Sequence, residues 1–380
     1  MTDASSRRPV TTIVDVGVDS YRVPIDPPIR NGRYTYGSHD LCLVRVTADD
    51  GSVGLGIGDG GVGLSGAPEM IRGTVESLKP ALLGQDPFRT ERIWADLWNP
   101  KLLGRRGFTT RVVSAIDLAL WDLKGRTLGL SVADLLGRCH DRLPAYIAGG
   151  YYREGLGLGL DELEAEMAGH VAAGARAVKM KIAGAPLADD LKRVSRVRAA
   201  IGDDVKLLVD ANNGYRLHEA LVAARRLAEF DIYWLEEPLM PDDYAGHARL
   251  SAGSPIPIAL GEIEYTRYGF RDIIEHAAAS ILNPDAQFVG GVSEFMKVAA
   301  LAQAYDLPIA PHGNPELHVH LAAAAPNALI VEVARVDGDT IWDLFFPRRV
   351  ELIDGHVSPP DAPGFGIVLD EAGLEACRVG

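Results

Sequence analysis

Leu207-Leu208-Val209-Asp210 sets the reading of the chain, because two later stretches answer it at equal intervals. In Tyr233-Trp234-Leu235-Glu236-Glu237-Pro238, Glu236 follows Asp210 by 26 residues; in Ile256-Pro257-Ile258-Ala259-Leu260-Gly261-Glu262, Glu262 follows Glu236 by the same interval. Each is a short apolar run ending in a carboxylate, and helix-length segments separate them. That is the pattern of parallel strands joined by crossover helices, with an acid at the carboxyl end of each strand. In a closed β/α barrel those ends share one face. A single acid after an apolar run is ordinarily a helix cap or a solvated loop residue. Three in consecutive units read as ligands for a hard divalent cation, Mg²⁺.

The surrounding chain fits that reading. Its 380 residues exceed one ordinary core and suit two domains, one of them a barrel of ~250 residues. A hydrophobic content of 47% and a charged content of 24% are ordinary for a soluble enzyme. The net charge of −14 argues against nucleic acid or an anionic membrane surface as a partner. An anionic small molecule remains open, since a bound cation reverses the local sign. Cys42, Cys139 and Cys377 are sparse, odd in number and without a CxxC, which reads as reduced thiols in the cytoplasm. Arg7-Arg8 is not followed by an uninterrupted apolar segment, so an export signal is rejected, and no stretch approaches the ~20 apolar residues of a membrane helix.

The first 140 residues predict an α+β domain. Strands are expected over 11–23, 41–47 and 52–57, and helices over 67–83, 87–97, 109–128 and 132–136. Met70, Ile71, Val75 and Leu78 make the apolar stripe of the first helix, and Ser131 caps the last. Residues 24–40 read as a loop rich in aromatic and hydrogen-bonding groups, a lid carrying Tyr34, Tyr36 and His39. A second, glycine-rich loop spans Gly58–Gly66. From 141 to 339 the rhythm becomes strand–helix–strand, with strands over 143–148, 177–182, 205–210, 232–236, 258–262, 279–283, 307–310 and 328–333. Residues 340–380 form a tail, with strand-like 341–346 and 367–369, expected to pack back on the first domain. The fold class is α/β: a modified (β/α)8 barrel with an N-terminal α+β capping domain completed by the tail.

Read by strand end, the polar residues are Lys179 and Lys181, Asp210, Glu236, Glu262, Asp285, His312 and Glu332. Lys179 and Lys181 lie on one face of their strand. Like charge and desolvation would depress Lys181 to a neutral base and leave Lys179 to bind an anionic oxygen. Asp285, at the end of the preceding strand, can reach His312 and orient its imidazole. His318 and His320 fall at i and i+2 of a helix and read as structural. Asn212 and Glu237 are candidate partners of the metal carboxylates. Together these groups suit removal of the proton α to a substrate carboxylate, with Glu332, if protonated, bonding the enediolate oxygen.

In Val178-Lys179-Met180-Lys181, Val209-Asp210-Ala211-Asn212, Trp234-Leu235-Glu236-Glu237-Pro238, Gly261-Glu262, Asn283-Pro284-Asp285, Pro311-His312-Gly313 and Val331-Glu332, with the helix Ser114–Asp122, the chain resembles the enolase superfamily and its mandelate racemase subgroup. The resemblance covers nearly the whole chain. It implies a cap over a modified barrel, bound Mg²⁺, proton abstraction beside a carboxylate, and a homo-oligomer, often an octamer. The subgroup holds both racemases and acid-sugar dehydratases. The polar, aromatic lid favours a polyhydroxylated acid, hence dehydration of an aldonate or aldarate to a 2-keto-3-deoxy acid. The alternatives are a racemase or epimerase of a 2-hydroxy acid and, from another class, a non-catalytic binding barrel. Arg105 and Arg106, in a glycine-flanked loop, are candidates for a distal carboxylate.

Overall fold

The computed structural model describes residues 11–61, 64, 66–153, 155–334 and 340–380; Arg7-Arg8 and part of the glycine-rich loop (62, 63 and 65) lie outside them. The chain begins with an antiparallel sheet of β1 (Ile13–Arg30), β2 (Thr35–Ala48) and β3 (Val53–Asp59). The sequence pattern placed a loop over 24–40. In the structure both strands run on into it, and Ile29 and Arg30 pair with Tyr36 and Thr35, leaving only a short turn. Asn31 makes that turn: its Oδ1 accepts from the backbone N–H of Arg33 and Tyr34 at 2.9 and 2.7 Å. The expected lid is therefore a β-hairpin.

Helices Ala67–Leu82, Thr90–Leu97, Phe108–Leu128 and Val132–Leu135 follow, the last capped by Ser131, which accepts from Asp134 N–H. In the first helix Ile71, Val75 and Leu78 are buried as the periodicity demands, but Met70 is 47% exposed. It falls just off the arc that faces the sheet. Helix Phe108–Leu128 lies between cap and barrel. Ser114 accepts from Gly290 N–H at 2.9 Å, and Asp117 accepts from the Ser293 N–H and hydroxyl at 2.8 and 2.7 Å, capping the first turn of barrel helix Gly291–Ala304.

The barrel strands are β4 (Leu143–Gly149), β6 (Ala177–Lys181), β7 (Lys206–Asp210), β8 (Ile232–Glu236), β9 (Ile258–Leu260), β10 (Ile281–Leu282) and β11 (Val331–Ala334), all parallel; between the first two, short β5 (Tyr152–Arg153) pairs instead with β1. The expected seventh strand is reduced to single bridges at Ile309, which pairs with Leu282 on one side and Ala328 on the other. With β11 against β4, those bridges close an eight-membered ring.

Alternation along each strand sorts its side chains. Val178, Met180, Leu207, Val209 and Leu235 face outward, into the apolar layer shared with helices such as Leu187–Ile201. Tyr146, Ala148, Ala177, Leu208, Trp234, Ala259, Ile281, Ala310 and Ile330 fill the interior. The same inward register continues upward as Lys179, Lys181, Asp210, Glu236 and Glu332. The barrel is thus apolar at its base and ionic at its carboxyl end because each strand changes from small or aromatic residues to charged ones along one face.

The tail returns as expected but not in the expected elements. Ile341–Leu344 is a 3₁₀ turn, not a strand, with Ile341 and Trp342 buried. β12 (His356–Val357) adds antiparallel to β4, and residues 367–369 are irregular. β13 (Arg378–Val379) joins β1, pairing Val379 with Ser20. Asp122 fastens three parts at once: its carboxylate accepts from Leu55 N–H in β3 and Phe365 N–H in the tail, both at 2.9 Å, and pairs with Arg126. Asp122→Ala is expected to cost about 3 kcal/mol, since it orphans two buried amides and takes the carboxylate partner from Arg126; a lowered thermal midpoint against wild type checks this. The three cysteines are free thiols. Among the described residues no helix is long and apolar enough to cross a membrane.

Candidate active site

The carboxyl ends of β6, β7 and β8 bring ionic residues into lateral register: Lys181 opposes Asp210, and Asp210 opposes Glu236. Glu262 arrives differently. The sequence pattern ran its strand through Glu262, but β9 ends at Leu260. Gly261 then takes φ +134°, where a Cβ would meet the Phe270 ring at 2.7 Å. That kink turns Glu262 inward. One oxygen from each of Asp210, Glu236 and Glu262 lies within 4.8 Å of the others. Ligand oxygens around an octahedral Mg²⁺ stand about 3–4 Å apart, so the spacing fits.

The other groups strengthen that fit. Glu262 Oε2 is buried and has no hydrogen-bond partner, although His312 Nε2 is 3.6 Å away. Burial, together with Asp210, Glu262 and Glu332, pushes Glu236 up to about 8 against the pull of Lys179. Glu237 is raised well above the usual carboxylate range, first by burial and then by Glu262, Asp210 and Glu236. A cluster that strains to shed negative charge is one that a divalent cation satisfies. Asn212 holds two of these carboxylates, its N–H donating to Asp210 at 2.8 Å and its Nδ2 to Glu262 at 3.4 Å. Glu237 is held instead by Asn213 Nδ2, at 3.2 Å. Asn212, Asn213 and Glu237 all take positive φ without being glycine, so the strand-end turns are strained where they carry the site.

Two expectations about the lysines are corrected. Burial would lower Lys181, but Asp210 at 2.6 Å holds it above the ordinary lysine value, so with these partners it is an ammonium. The like charge of Lys179 counts for less than the carboxylate across the strand pair. Lys179 is fully buried, 2.7 Å from Glu236 and 3.3 Å from Glu332, with Tyr146 hydroxyl at 3.4 Å. Its donors are used on protein groups rather than directed at a ligand. Glu332 is also not the protonated acid expected: Lys179, His312 and Lys181 overcome burial and bring it down to about 2. It accepts from Tyr146 OH and Gly313 N–H, each at 3.1 Å.

His312 and Asp285 meet as expected, Nδ1 to Oδ2 at 2.9 Å. Partial burial works against a charged ring, yet Glu262, Asp285 and Glu332 push His312 up to about 10. Asp285 would be raised by burial, but His318 and His312 on its two sides keep it below the usual range. Helical spacing was right that His318 and His320 diverge: His320 packs edge-on against Phe365, while His318 Nε2 lies 3.3 Å from Asp285.

Among the lid residues, Tyr36 comes closest to the mouth. Its hydroxyl accepts from Asn31 Nδ2 at 3.1 Å; burial raises it above the usual tyrosine range, Lys181 pulls it down, and Tyr151, Glu262 and Asp210 push it up. At the hairpin tip a Cβ on Gly32 would stand 2.1 Å from the Ala211 carbonyl oxygen, so the tip rests on the turn after β7. His39, three residues from Tyr36 along a strand, points the other way and meets Trp342 edge-on. Tyr34 is 43% exposed. Arg106 is bound to Asp242 and Tyr244, at 2.7 and 2.6 Å, and Arg105 is exposed.

Strand-end spacing does not single out Tyr146, Trp234, Tyr151 or Asn213, and it leaves His318 as structural. Trp234 donates its Nε1–H to Glu236 at 2.8 Å, and Tyr151 presents its ring to Lys181 Nζ at 5.1 Å. Trp234 was findable, being two residues before Glu236 on the same strand face. Tyr151 depends on a loop path that spacing does not reveal.

A (β/α)8 barrel whose mouth presents three convergent carboxylates near a lysine and a histidine–aspartate pair, with an α+β cap, defines a class of metal-dependent enzyme. The chain belongs to the mandelate racemase/muconate lactonizing enzyme family of the enolase superfamily: residues 13–137 match the family's N-terminal domain and residues 162–373 the enolase C-terminal domain-like family. It is 36% identical to a 3,6-anhydro-alpha-L-galactonate cycloisomerase of Streptomyces coelicolor, over 96% of this chain and 99% of that one. It is 34% identical to an arabinonate dehydratase of Saccharolobus solfataricus, over 88% and 90% of the two chains. An L-talarate dehydratase from Polaromonas sp. JS666, solved with Mg and L-glucarate, superposes with a TM-score of 0.85 at 33% identity, covering 97% of this chain and 98% of the other.

Proposed function

We propose that the protein binds Mg²⁺ through Asp210, Glu236 and Glu262, removes the α-proton of an acid sugar and expels the β-oxygen, most simply as water to give a 2-keto-3-deoxy acid. The observation that carries this is the placement of Lys181 and the His312–Asp285 pair beside one carboxylate triad. When bound, Mg²⁺ would offset the carboxylate charge and, as a Lewis acid, the charge that develops on the substrate carboxylate.

Lys181 can serve as a base only when its ion pair with Asp210 is loosened. His312, protonated and oriented by Asp285, can donate from Nε2 to a departing oxygen. Glu332 remains ionised and supports Lys179 and the Gly313 amide. Tyr36 supplies a hydroxyl from the cap to a polar substrate.

The cycloisomerase relative raises a second reading, in which the expelled oxygen belongs to a ring and stays in the product. A panel of aldonates, aldarates and their lactones, incubated with Mg²⁺ and followed by mass spectrometry and proton NMR, separates the cases. Loss of one water with keto-acid signals supports dehydration, and a keto acid of unchanged mass supports ring opening. Inversion at C2 alone would replace both with an epimerase. Tyr36→Ala is expected to lower kcat/KM about tenfold for its preferred acid, the worth of one hydrogen bond, without altering Mg²⁺ affinity; unchanged kcat/KM on every acid would remove Tyr36 from the substrate site.

A further inference from the structure

Behind the His312–Asp285 pair lie buried polar groups that proton transfer itself does not use. Asp285 Oδ1 accepts from Gln287 N–H at 2.7 Å and faces His318 Nε2 at 3.3 Å. His318 is fully buried; its Nε2 is also 2.9 Å from the Ala286 amide, and its Nδ1 is 2.9 Å from the Asn314 carbonyl oxygen. Ala286 N–H donates to Nε2 and the ring's Nδ1–H donates to the Asn314 carbonyl oxygen, so His318 joins the loop carrying Asp285 to the loop carrying His312.

The Gln287 side chain extends the chain of bonds. Its Oε1 accepts from Asn314 Nδ2 at 2.9 Å, and its Nε2 donates to the Ile57 carbonyl oxygen at 3.1 Å, across the domain boundary in β3. Gln287 and Asn314 are both buried. Lys181 is fixed differently, by Asp210 and the Tyr151 ring within the barrel mouth.

We propose that His318, Gln287 and Asn314 are positioning residues: they form a cage that fixes the His312–Asp285 pair and ties it by side-chain hydrogen bonds to cap strand β3, so that this link to the cap sets the geometry on the His312 face of the substrate. The chemical consequence rests on the two-base reading above; the geometric part does not. Polar links of this kind are commonly worth 10–100-fold where they orient a functional group.

The test compares His318→Phe, Gln287→Leu and Gln287→Glu with wild type. As a carboxylate the last keeps an acceptor for Asn314 but cannot donate to Ile57, so the cap link is broken with little change of volume, and measuring at two pH values shows whether a protonated carboxyl restores it. The first readout is the downfield Nδ1–H resonance of His312 in protein labelled with ¹⁵N-histidine, assigned by its loss in His312→Asn. The second is α-proton exchange in D₂O for two C2 epimers of an acid found active in the panel. The expected result is a shifted or broadened His312 resonance and a fall of about tenfold or more in exchange of the epimer whose proton faces His312, with the other epimer within about twofold of wild type. An unchanged resonance with unchanged exchange in Gln287→Glu overturns the cap link. Equal loss on both faces in a variant with the wild-type thermal midpoint overturns the face-specific role. If wild type exchanges no acid at all, the two-base reading fails, and the resonance alone decides whether the cage positions His312.

Discussion

Glu236→Gln is expected to leave the barrel folded and to abolish turnover. Glu236 is fully buried, bonded to Trp234 Nε1 and Lys179, and shares its remaining ligand capacity with Asp210 and Glu262. Glutamine preserves the shape and the acceptor for one of those partners but removes the charge. The loss of a charged ligand should weaken Mg²⁺ by more than about 100-fold, beyond what is usual for the groups that merely orient ligands. Calorimetric titration of Mg²⁺ measures this, and circular dichroism verifies the fold. The pH dependence has a definite sign. Burial and the neighbouring carboxylates push Glu236 up to about 8. Cation binding requires its ionised form, so affinity should rise with pH up to about 8, and protons should be released on binding below it. Wild-type affinity and turnover in Glu236→Gln would remove Glu236 from the metal site.

The second large effect divides the two sides of the mouth. Lys181→Met should stop exchange of an α-proton that faces Lys181. His312→Asn should block dehydration of the same substrate while leaving that exchange in place. For a substrate of opposite configuration at C2 the roles reverse. Each group should supply about 10²–10⁴ in rate as a general acid or base, so the losses are well within reach of proton NMR. Both variants remove buried charge beside Asp210 or Asp285, so thermal midpoints are needed alongside the rates. Full exchange and turnover in both single variants would exclude the two-base arrangement.

Much of this site was legible in the sequence because strand periodicity is rigid. Once Asp210, Glu236 and Lys181 are assigned to the ends of parallel strands, the inward face and the shared rim follow from geometry alone. Glu262 was found for a partly mistaken reason: its strand stops at Leu260, and a glycine kink rather than strand alternation turns it inward. Protonation states were not legible. Desolvation and the neighbouring lysine suggested a neutral Lys181, and burial suggested a protonated Glu332, but cross-strand partners reverse both. Those partners are set by lateral register, which one strand does not specify. The lid failed in another way. A stretch of mixed polar and aromatic residues reads as loop, yet pairing across Ile29–Tyr36 carries it as a hairpin, and alternation then turns His39 toward Trp342, away from Tyr36. The tail's Ile341–Leu344 has strand-like composition, yet it coils as a 3₁₀ turn whose Ile341 and Trp342 are buried among apolar side chains of both cap and barrel rather than pairing with a strand. His318 was set aside on helical spacing, which was sound about its divergence from His320 but silent on the loop it faces.

The most direct test of metal-assisted proton abstraction is hydrogen–deuterium exchange at C2 of an acid-sugar panel in D₂O, followed by proton NMR with Mg²⁺ present and again after exhaustive chelation. The expected result is exchange of the C2 proton of at least one acid, dependent on Mg²⁺, restored by adding it back and lost in Glu236→Gln. Exchange that persists undiminished in the chelated enzyme, or a panel in which no acid exchanges while Mg²⁺ is bound, would contradict it.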